Sequence, residues 1–253
     1  MRPIALLTLL IGCDDTPTNT PDEPTAEPVA EEPAVKPVAT GPSIVLITLD
    51  TTRVDHIGAY GHEAARTPTL DGLAGEGVRF ERAYSTVPLT TPAHASILSG
   101  LYPPRHGIRN NGDAVLSDDI TTFTEVLSDA GYRTAASVSA FVTTRLWNLD
   151  QGFDDYFDEV KAAGAGSKWG QERPAGEVVD DLIGWLDTPE NAGSPYFLWA
   201  HFYDPHHPYA PPEPYDTEFE DPYDGEIAYV DAQIARLKDC LLYTSDAADD
   251  LYR

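Results

Sequence analysis

The chain has 253 residues, enough for one substantial domain with a tail, and its formal net charge is −26. Nucleic acids and anionic membrane surfaces bind through basic patches, so this charge argues against both as partners, and an anionic substrate would have to be held by local cations or a metal. The two cysteines, Cys13 and Cys240, are too few for a disulfide framework.

The N-terminal segment has the pattern of a bacterial lipoprotein signal. A short basic start and an apolar run too short to span a bilayer lead to Leu10-Ile11-Gly12-Cys13, which resembles a lipobox. This interpretation makes residues 1–13 a signal peptide and lipidates Cys13. The protein would then lie in the bacterial periplasm or at the cell surface, contacting the membrane through this lipid anchor only. A plain secretory signal is the alternative.

Residues 14–42 are rich in Pro, Thr, Glu and Ala, and we expect a disordered linker there. The folded part begins with the aliphatic and β-branched run 43–49, which predicts a buried parallel strand. Asp50 then lies at the carboxyl end of that strand, the edge where ligand sites form in open α/β sheets. A turn or helix-capping role is the alternative for a single Asp at this point.

Helical and strand patterns alternate along the rest of the chain. Thr67-Pro68 is predicted to cap a helix that Gly75 to Gly77 close, and Thr90 begins a helix that Gly100 can end. Further helices are expected at 123–130, 178–186 and 227–237, and further strands at 132–138 and 196–202. This alternation predicts an α/β fold with a mostly parallel sheet sandwiched by helices.

Thr90 is the first candidate for chemistry. It precedes Pro92 at a helix start, where free backbone N–H groups and the positive end of the helix dipole favour an alkoxide and an anionic ester. An ordinary N-cap role for Thr90 or Thr91 is the alternative.

The loop after the strand 196–202 carries the second candidates, in Asp204-Pro205-His206-His207-Pro208. The prolines stiffen this loop, so both histidines are held at the same edge of the sheet. A histidine there can protonate a leaving oxygen or bind an anion. A solvent-exposed turn with incidental histidines is the alternative.

Four pieces of the chain, in this order and spacing, resemble the sulfatase family of the alkaline-phosphatase superfamily. They are Ile47-Thr48-Leu49-Asp50-Thr51-Thr52-Arg53, Thr67-Pro68-Thr69-Leu70-Asp71, the stretch 90–107 and Asp204-Pro205-His206-His207-Pro208-Tyr209. The resemblance implies an alkaline-phosphatase-like fold and hydrolysis of sulfate or phosphate esters in small anionic molecules or sulfated glycans. A phosphodiesterase or phospho-group transferase of the same superfamily and a non-catalytic binding protein are the alternatives.

The resemblance also implies roles for individual residues. One divalent cation, commonly calcium, with zinc and manganese as alternatives, would be held by Asp50 and the neighbouring Thr51, where many members have a second Asp. Thr90 takes the nucleophile position and His94 the position of an arginine. Thr90 cannot yield formylglycine, because its secondary alcohol would oxidise to a ketone, so it would act as a metal-activated alkoxide. His206 matches the histidine that protonates the leaving group or binds a substrate oxygen.

Two anion-binding groups of the family, a Lys and a His, are replaced here by Ser139 and Phe141. Sulfate specificity is therefore not implied. Arg105, Arg109 and His207 are the remaining candidates for substrate binding, with surface pairing as the alternative for the arginines.

Because the family continues past this point, we expect residues 43–239 to be a sulfatase-like domain truncated at its C-terminus. Residues 240–253 resemble the translation of a sequencing adaptor and break the preceding helical pattern, with a natural tail as the alternative. A truncated domain would lack part of its metal site, so this fragment by itself is expected to show little or no activity.

Overall fold

The apolar segments 43–49, 132–138 and 196–202 form the centre of a parallel sheet. In the computed structural model, which describes Pro37 and residues 39–162 and 171–251, the strands are β1 (Ile44–Leu49), β2 (Arg133–Val138), β3 (Asp155–Phe157), β4 (Lys161–Ala162), β5 (Gln171–Glu172) and β6 (Tyr196–Phe202). The main sheet has the order β1-β6-β2-β3, and its three pairings are all parallel. β4 and β5 form a separate antiparallel pair.

Eight α-helices are found in the described part of the chain: α1 (Pro68–Glu76), α2 (Thr90–Ser99), α3 (Pro103–His106), α4 (Phe123–Asp129), α5 (Ala175–Leu186), α6 (Pro189–Ala192), α7 (Tyr215–Glu218) and α8 (Pro222–Leu251). Short 3₁₀ helices span Val54–His56, Gly58–Tyr60, Phe141–Thr143 and Arg145–Trp147. In the part of the chain that is described, no helix is both long and apolar enough to cross a bilayer.

Helices cover both faces of the sheet, because alternate residues of a strand point to opposite sides. Leu198 and Ala200 of β6 belong to a core cluster with residues of α5 and α8, whereas Phe197 and Trp199 belong to a second cluster with residues of α2. Every residue of β6 is buried. The α/β fold with a mostly parallel sheet between helices is therefore confirmed.

The start of α1 is held differently from what the sequence predicts. Thr67 precedes Pro68 as expected, but its side chain makes no capping hydrogen bond to the helix. Instead, Asp231 of α8 accepts hydrogen bonds from the backbone N–H groups of Thr69 and Leu70, at 3.1 and 2.8 Å. A carboxylate at a helix N-terminus satisfies unpaired donors and opposes the positive end of the dipole. This cap also ties α1 to α8.

The last helix is longer than predicted. The helix expected at 227–237 is the middle of α8, which ends at Leu251. The expectation that the helical pattern breaks after residue 239 is therefore wrong, although the foreign origin of residues 240–253 stays a prediction. Cys13, the signal segment 1–13 and nearly all of the linker 14–42 lie outside the described residues, so lipidation and anchoring stay predictions as well.

The burial of Leu182 in the core predicts how much this side chain contributes to stability. Leu182 of α5 is fully buried, whereas Leu146 is 61% exposed. Leu182→Ala should lower the free energy of unfolding by about 2–5 kcal/mol, because it removes buried methyl groups and leaves a cavity. Denaturant unfolding measures this loss, and the matched exposed variant Leu146→Ala should change the free energy by less than about 0.5 kcal/mol. Equal losses in the two variants would contradict this assignment of the core.

Candidate active site

The carboxyl ends of β1 and β6 and the N-terminus of α2 surround a cavity of about 590 Å³. Five of the predicted site residues line it: Asp50, Thr51, Thr90, His94 and His206. They come from three distant parts of the chain. Parallel strands end at the same edge of a sheet, which is why segments so far apart in sequence meet here.

Thr90 is the first residue of α2, and the preceding Leu89 is extended. The helix ends at Gly100, whose φ of 69° is the left-handed conformation that glycine adopts without strain. The backbone N–H of Thr91 donates to Asn111 Oδ1 at 2.9 Å, and the Thr91 hydroxyl donates to the Val142 carbonyl at 2.8 Å. Thr91 is thus a structural residue, and the helix start offers fewer free donors than its sequence alone suggests.

The backbone of Asp50 is hydrogen-bonded to the sheet, and the residue lines the cavity. Its backbone N–H donates to the Phe202 carbonyl at 2.9 Å, which extends the β1–β6 pairing to the end of both strands. Burial raises the pKa of the Asp50 carboxyl; the charge of His94, a hydrogen bond with the Thr90 side chain and the charge of His206 oppose this rise. The Oδ2 atom is buried and has no hydrogen-bond partner.

His94 lies one helical turn after Thr90. Its Nδ1 is 2.8 Å from the Thr90 carbonyl oxygen, which can only accept, so Nδ1 carries the proton. Burial lowers the pKa of His94, and the neutral ring therefore has its lone pair on Nε2. That atom is buried without a hydrogen-bond partner.

His201 is a site residue that the sequence reasoning missed. Its Nε2 lies 3.9 Å from Asp50 Oδ2, and its ring centroid is 4.6 Å from that of His94. The Nδ1 atom is 3.1 Å from the Thr48 hydroxyl, whereas Nε2 is buried without a partner. Burial lowers the pKa of His201 well below its ordinary value. An imidazole in the otherwise apolar strand 196–202 was the sign available in the sequence.

The loop after β6 is fastened to the loop after β1. Thr51 has a left-handed backbone, with φ of 51°, and its hydroxyl donates to the Pro205 carbonyl. His206 stacks on Tyr203 with 4.2 Å between ring centroids, and its Nδ1 is 2.9 Å from the His207 carbonyl oxygen. The Thr51 hydroxyl proton is thus used to join two loops, and this contact holds the segment that carries His206.

The structure does not bring the other predicted substrate-binding residues into the cavity. Arg105, Arg109 and His207 are exposed and do not line it. On α3, the buried residue is His106, whose Nε2 is 3.0 Å from the Ser96 hydroxyl, so its neighbour Arg105 faces solvent. No Lys or Arg is found among the described residues that line the cavity.

Three buried atoms at this edge of the sheet have no hydrogen-bond partners, and two of them, on Asp50 and His201, lie 3.9 Å apart. The three atoms are Asp50 Oδ2, His94 Nε2 and His201 Nε2. A buried polar atom without a partner costs about 1–3 kcal/mol, which a bound cation would offset. A carboxylate with two neutral imidazoles is a donor set used by zinc and other transition metals, whereas calcium takes oxygen ligands.

Carboxyl groups also lie behind the His206 loop. Asp204 Oδ1 accepts a hydrogen bond from the Ala175 N–H at 2.9 Å, and Glu226 Oε1 accepts one from the Ala210 N–H at 2.7 Å. Burial raises the pKa of Asp204 to about 6, and burial together with the charges of Asp204 and Glu172 raises that of Glu226 to about 7. These groups hold backbone at the start of α5 and in the loop.

Comparison with known proteins identifies relatives. The family model described as Sulfatase matches residues 42–247, which overlaps the start of the segment we expected to be foreign. An arylsulfatase from Clostridium perfringens (strain 13 / Type A) is 30% identical over 247 residues, covering 78% of this chain and 51% of that protein.

Solved structures share the fold. Ps i-CgsB has a TM-score of 0.69 at 20% identity, covering 81% of this chain and 56% of that one, and it has also been crystallised with k-i-k-neocarrahexaose. The phosphonate monoester hydrolase of Agrobacterium radiobacter has a TM-score of 0.67 at 21% identity, covering 83% of this chain and 61% of that one. These matches confirm the alkaline-phosphatase-like fold. The chain spans about half the length of the curated relatives it matches.

The raised pKa of Asp204 predicts a pH dependence of stability. The pKa rises from an ordinary 3.8 to about 6, so the unfolded chain releases this proton at lower pH than the folded chain. Stability contributed by the protonated group is therefore present below about pH 4 and is lost as the pH rises to about 6. The side chain of Asp204→Asn cannot titrate. As the pH rises across this range, the wild type should therefore lose stability relative to this variant, by up to about 1.4 kcal/mol per pH unit.

Denaturant unfolding across this pH range measures the effect. Asn keeps an oxygen that can accept from the Ala175 N–H, so the variant removes the titration and spares the hydrogen bond. Asp129→Asn, at an exposed position, is the control and should follow the wild type. A parallel pH profile for Asp204→Asn and the wild type would contradict the raised pKa.

Proposed function

Because the chain belongs to the sulfatase family, we propose that the protein containing it hydrolyses sulfate esters or related monoanionic esters with Thr90 as the nucleophile. The observation that carries this proposal is the position of the Thr90 side chain. It lies at a helix N-terminus and lines the cavity, and it is close enough to the Asp50 carboxyl to lower the pKa of that group. This is the setting in which a hydroxyl can lose its proton and carry an anion.

The chemistry assigns a task to each residue. The Thr90 hydroxyl passes its proton to a carboxylate oxygen of Asp50 as the Thr90 oxygen attacks the sulfur or phosphorus of the ester. The bond to the leaving oxygen breaks, and that oxygen takes a proton from His206. Water then attacks the sulfur or phosphorus of the sulfo- or phospho-threonine and gives a proton to His206, while the Thr90 oxygen leaves and takes its proton back from Asp50.

Asp50, His94 and His201 would hold a divalent cation through the three atoms that lack partners. When bound, such a cation supplies positive charge that favours deprotonation of a hydroxyl and offsets the charge of the ester. The two imidazoles support zinc over the calcium that the family resemblance suggests, and over manganese, which also prefers oxygen ligands. Thr51 lines the same cavity, and its hydroxyl, which donates its proton to the Pro205 carbonyl, keeps oxygen lone pairs, so it stays a candidate ligand.

The lining of the cavity supports a monoanionic substrate. No described lining residue is Lys or Arg, so a dianionic phosphate monoester would find little compensation for its second charge. Sulfate monoesters, phosphonate monoesters and phosphodiesters carry one negative charge. The k-i-k-neocarrahexaose crystallised with Ps i-CgsB supports esters of a glycan as one substrate class, and the phosphonate monoester hydrolase supports phosphonate monoesters as the second candidate.

We also infer, from the sequence pattern alone, that Cys13 is lipidated and that a linker to about residue 42 separates the anchor from the domain. A periplasmic or surface location would expose the site to external esters.

Replacing Thr90 tests the nucleophile. Thr90→Val removes the hydroxyl and keeps the side-chain shape, and should lower kcat/KM by about 10³-fold or more. Thr90→Ser keeps a hydroxyl and should stay within about 100-fold of the wild type. The full-length gene product should be assayed with paired aryl sulfate, phosphonate monoester, phosphodiester and phosphate monoester substrates, with circular dichroism as a check of folding.

The pattern across these substrates separates the candidates. Preference for the sulfate or for the phosphonate decides between a sulfatase and a phosphonate hydrolase. Thr90→Val with wild-type turnover would contradict the nucleophile, and faster turnover of the dianionic phosphate would contradict the charge argument. No turnover of any substrate by the folded wild type would favour a non-catalytic binding protein.

Removing the metal tests the ligand set. Treatment with a chelator should abolish activity, and zinc should restore it better than calcium or manganese. Asp50→Asn and His201→Gln should each reduce the metal content measured by elemental analysis after dialysis, whereas His207→Gln, at an exposed histidine outside the cavity, should not. Full recovery with calcium alone would contradict a ligand set that contains two imidazoles.

A further inference from the structure

Three metal-ligating side chains meet at a second place, outside the lining of the cavity. His56 follows the loop after β1, His62 lies just beyond the next 3₁₀ helix, and Asp224 is in the first turn of α8. One ligand atom from each residue can be chosen so that all three lie within 4.8 Å of one another. This group of His56, His62 and Asp224, the His–His–Asp cluster, has no role in the chemistry proposed above.

The geometry of the cluster is close to that of a metal centre. Asp224 Oδ1 lies 2.6 Å from His56 Nδ1, and Asp224 Oδ2 lies 3.9 Å from His62 Nε2. Tetrahedral zinc with bonds of about 2.0–2.1 Å separates its ligand atoms by about 3.3 Å. These two separations fall on either side of this value, and the separation of the two histidine atoms is at most 4.8 Å, so side-chain shifts on the order of 1 Å would complete the site.

One atom of the cluster lacks an explanation within the protein. His62 Nε2 is buried and has no hydrogen-bond partner. A protein-only arrangement would pair this nitrogen, since a buried polar atom without a partner is costly. The atom lies on the side of the ring that faces the Asp224 carboxyl, 3.9 Å away, which is too long for a hydrogen bond.

The surroundings admit and attract a cation. A second cavity of about 590 Å³ borders the cluster and is lined by His62 and Asp224 together with Glu218, Glu220 and Asp221. Arg66 lines it too, but its guanidinium is paired with Glu218 at 2.6 Å. The local charge is therefore negative, as is the charge of the whole chain.

We propose that the His–His–Asp cluster binds a divalent transition-metal ion of the zinc type, at a site separate from the cavity that contains Thr90. Two imidazoles and one carboxylate are the protein ligands, and the bordering cavity leaves room for water at the fourth position. The ion would fasten the first turn of α8 to the segment that follows β1.

Tyr223 connects the His–His–Asp cluster to the segment that follows β1. Tyr223, next to Asp224, donates its hydroxyl to the Thr51 carbonyl at 2.7 Å and accepts from the Arg53 N–H at 2.8 Å. The Tyr223 and His56 rings also meet edge to face, with 4.9 Å between centroids. An ion at the cluster would therefore hold α8 against the loop that carries Asp50 and Thr51.

Zinc titration in an Asp50→Asn background tests the proposal, because that substitution removes the carboxylate of the other candidate site. The purified chain, stripped with a chelator, is titrated with Zn²⁺ against a chromophoric competitor. The Asp50→Asn protein should bind one Zn²⁺, and adding His62→Gln or Asp224→Asn should weaken binding by about 100-fold or more, beyond what outer-shell changes usually cause. Zn²⁺ should raise the melting temperature of Asp50→Asn and not of either double variant.

Glu220→Gln is the matched control. It removes one negative charge from the same cavity lining without removing a ligand, so Asp50→Asn with Glu220→Gln should keep one tight Zn²⁺. The two substituted ligands lie on different elements, His62 after a 3₁₀ helix and Asp224 in α8. Zinc binding is judged on the variant whose circular dichroism spectrum matches that of the parent. Zinc binding unchanged in a folded ligand variant, or no zinc bound by the Asp50→Asn parent, would overturn the proposal. These readouts do not depend on Thr90 chemistry.

Discussion

The parallel pairing of β1 with β6 is the constraint on which the rest of the structure depends. It sets Thr48 opposite His201, 153 residues further along the chain, and continues past both strands through the hydrogen bond from the Asp50 N–H to the Phe202 carbonyl. A shift of the register by one residue would turn His201 to the opposite face of the sheet. The approach of Asp50 to His201 therefore follows from strand pairing, not from any local preference of either residue.

The buried polar groups at this edge of the sheet work against the stability of the fold. Asp50, His94 and His201 each bury an atom without a partner, although buried polar atoms in proteins are nearly always paired. Exceptions of this kind concentrate where a ligand binds, since the ligand supplies the missing partners. The same reasoning applies to His62, whose Nε2 is the buried unpartnered atom of the His–His–Asp cluster.

Local sequence patterns were sufficient where one segment determines its own structure. The Thr90 helix begins and ends where Thr90 and Gly100 place it, and Asp50 follows β1 directly. Local patterns were insufficient where a contact with a distant residue determines the structure. Asp231 replaces Thr67 as the cap of α1, and the exposed position of Arg105 depends on the contact of its neighbour with α2. Strands of two or three residues, such as β3, carry too short a pattern to be recognised.

The sequence by itself determined the fold class, the main strands and helices, and the placing of Asp50 and His206 at one edge of a parallel sheet, because hydrophobic periodicity and chain direction suffice for these. Only the tertiary structure decided which side chains share a volume. His201 was hidden in an apolar strand, and the meeting of His56, His62 and Asp224 depends on α8 packing against the segment after β1. Side-chain contacts between distant segments follow from packing, which no local pattern records.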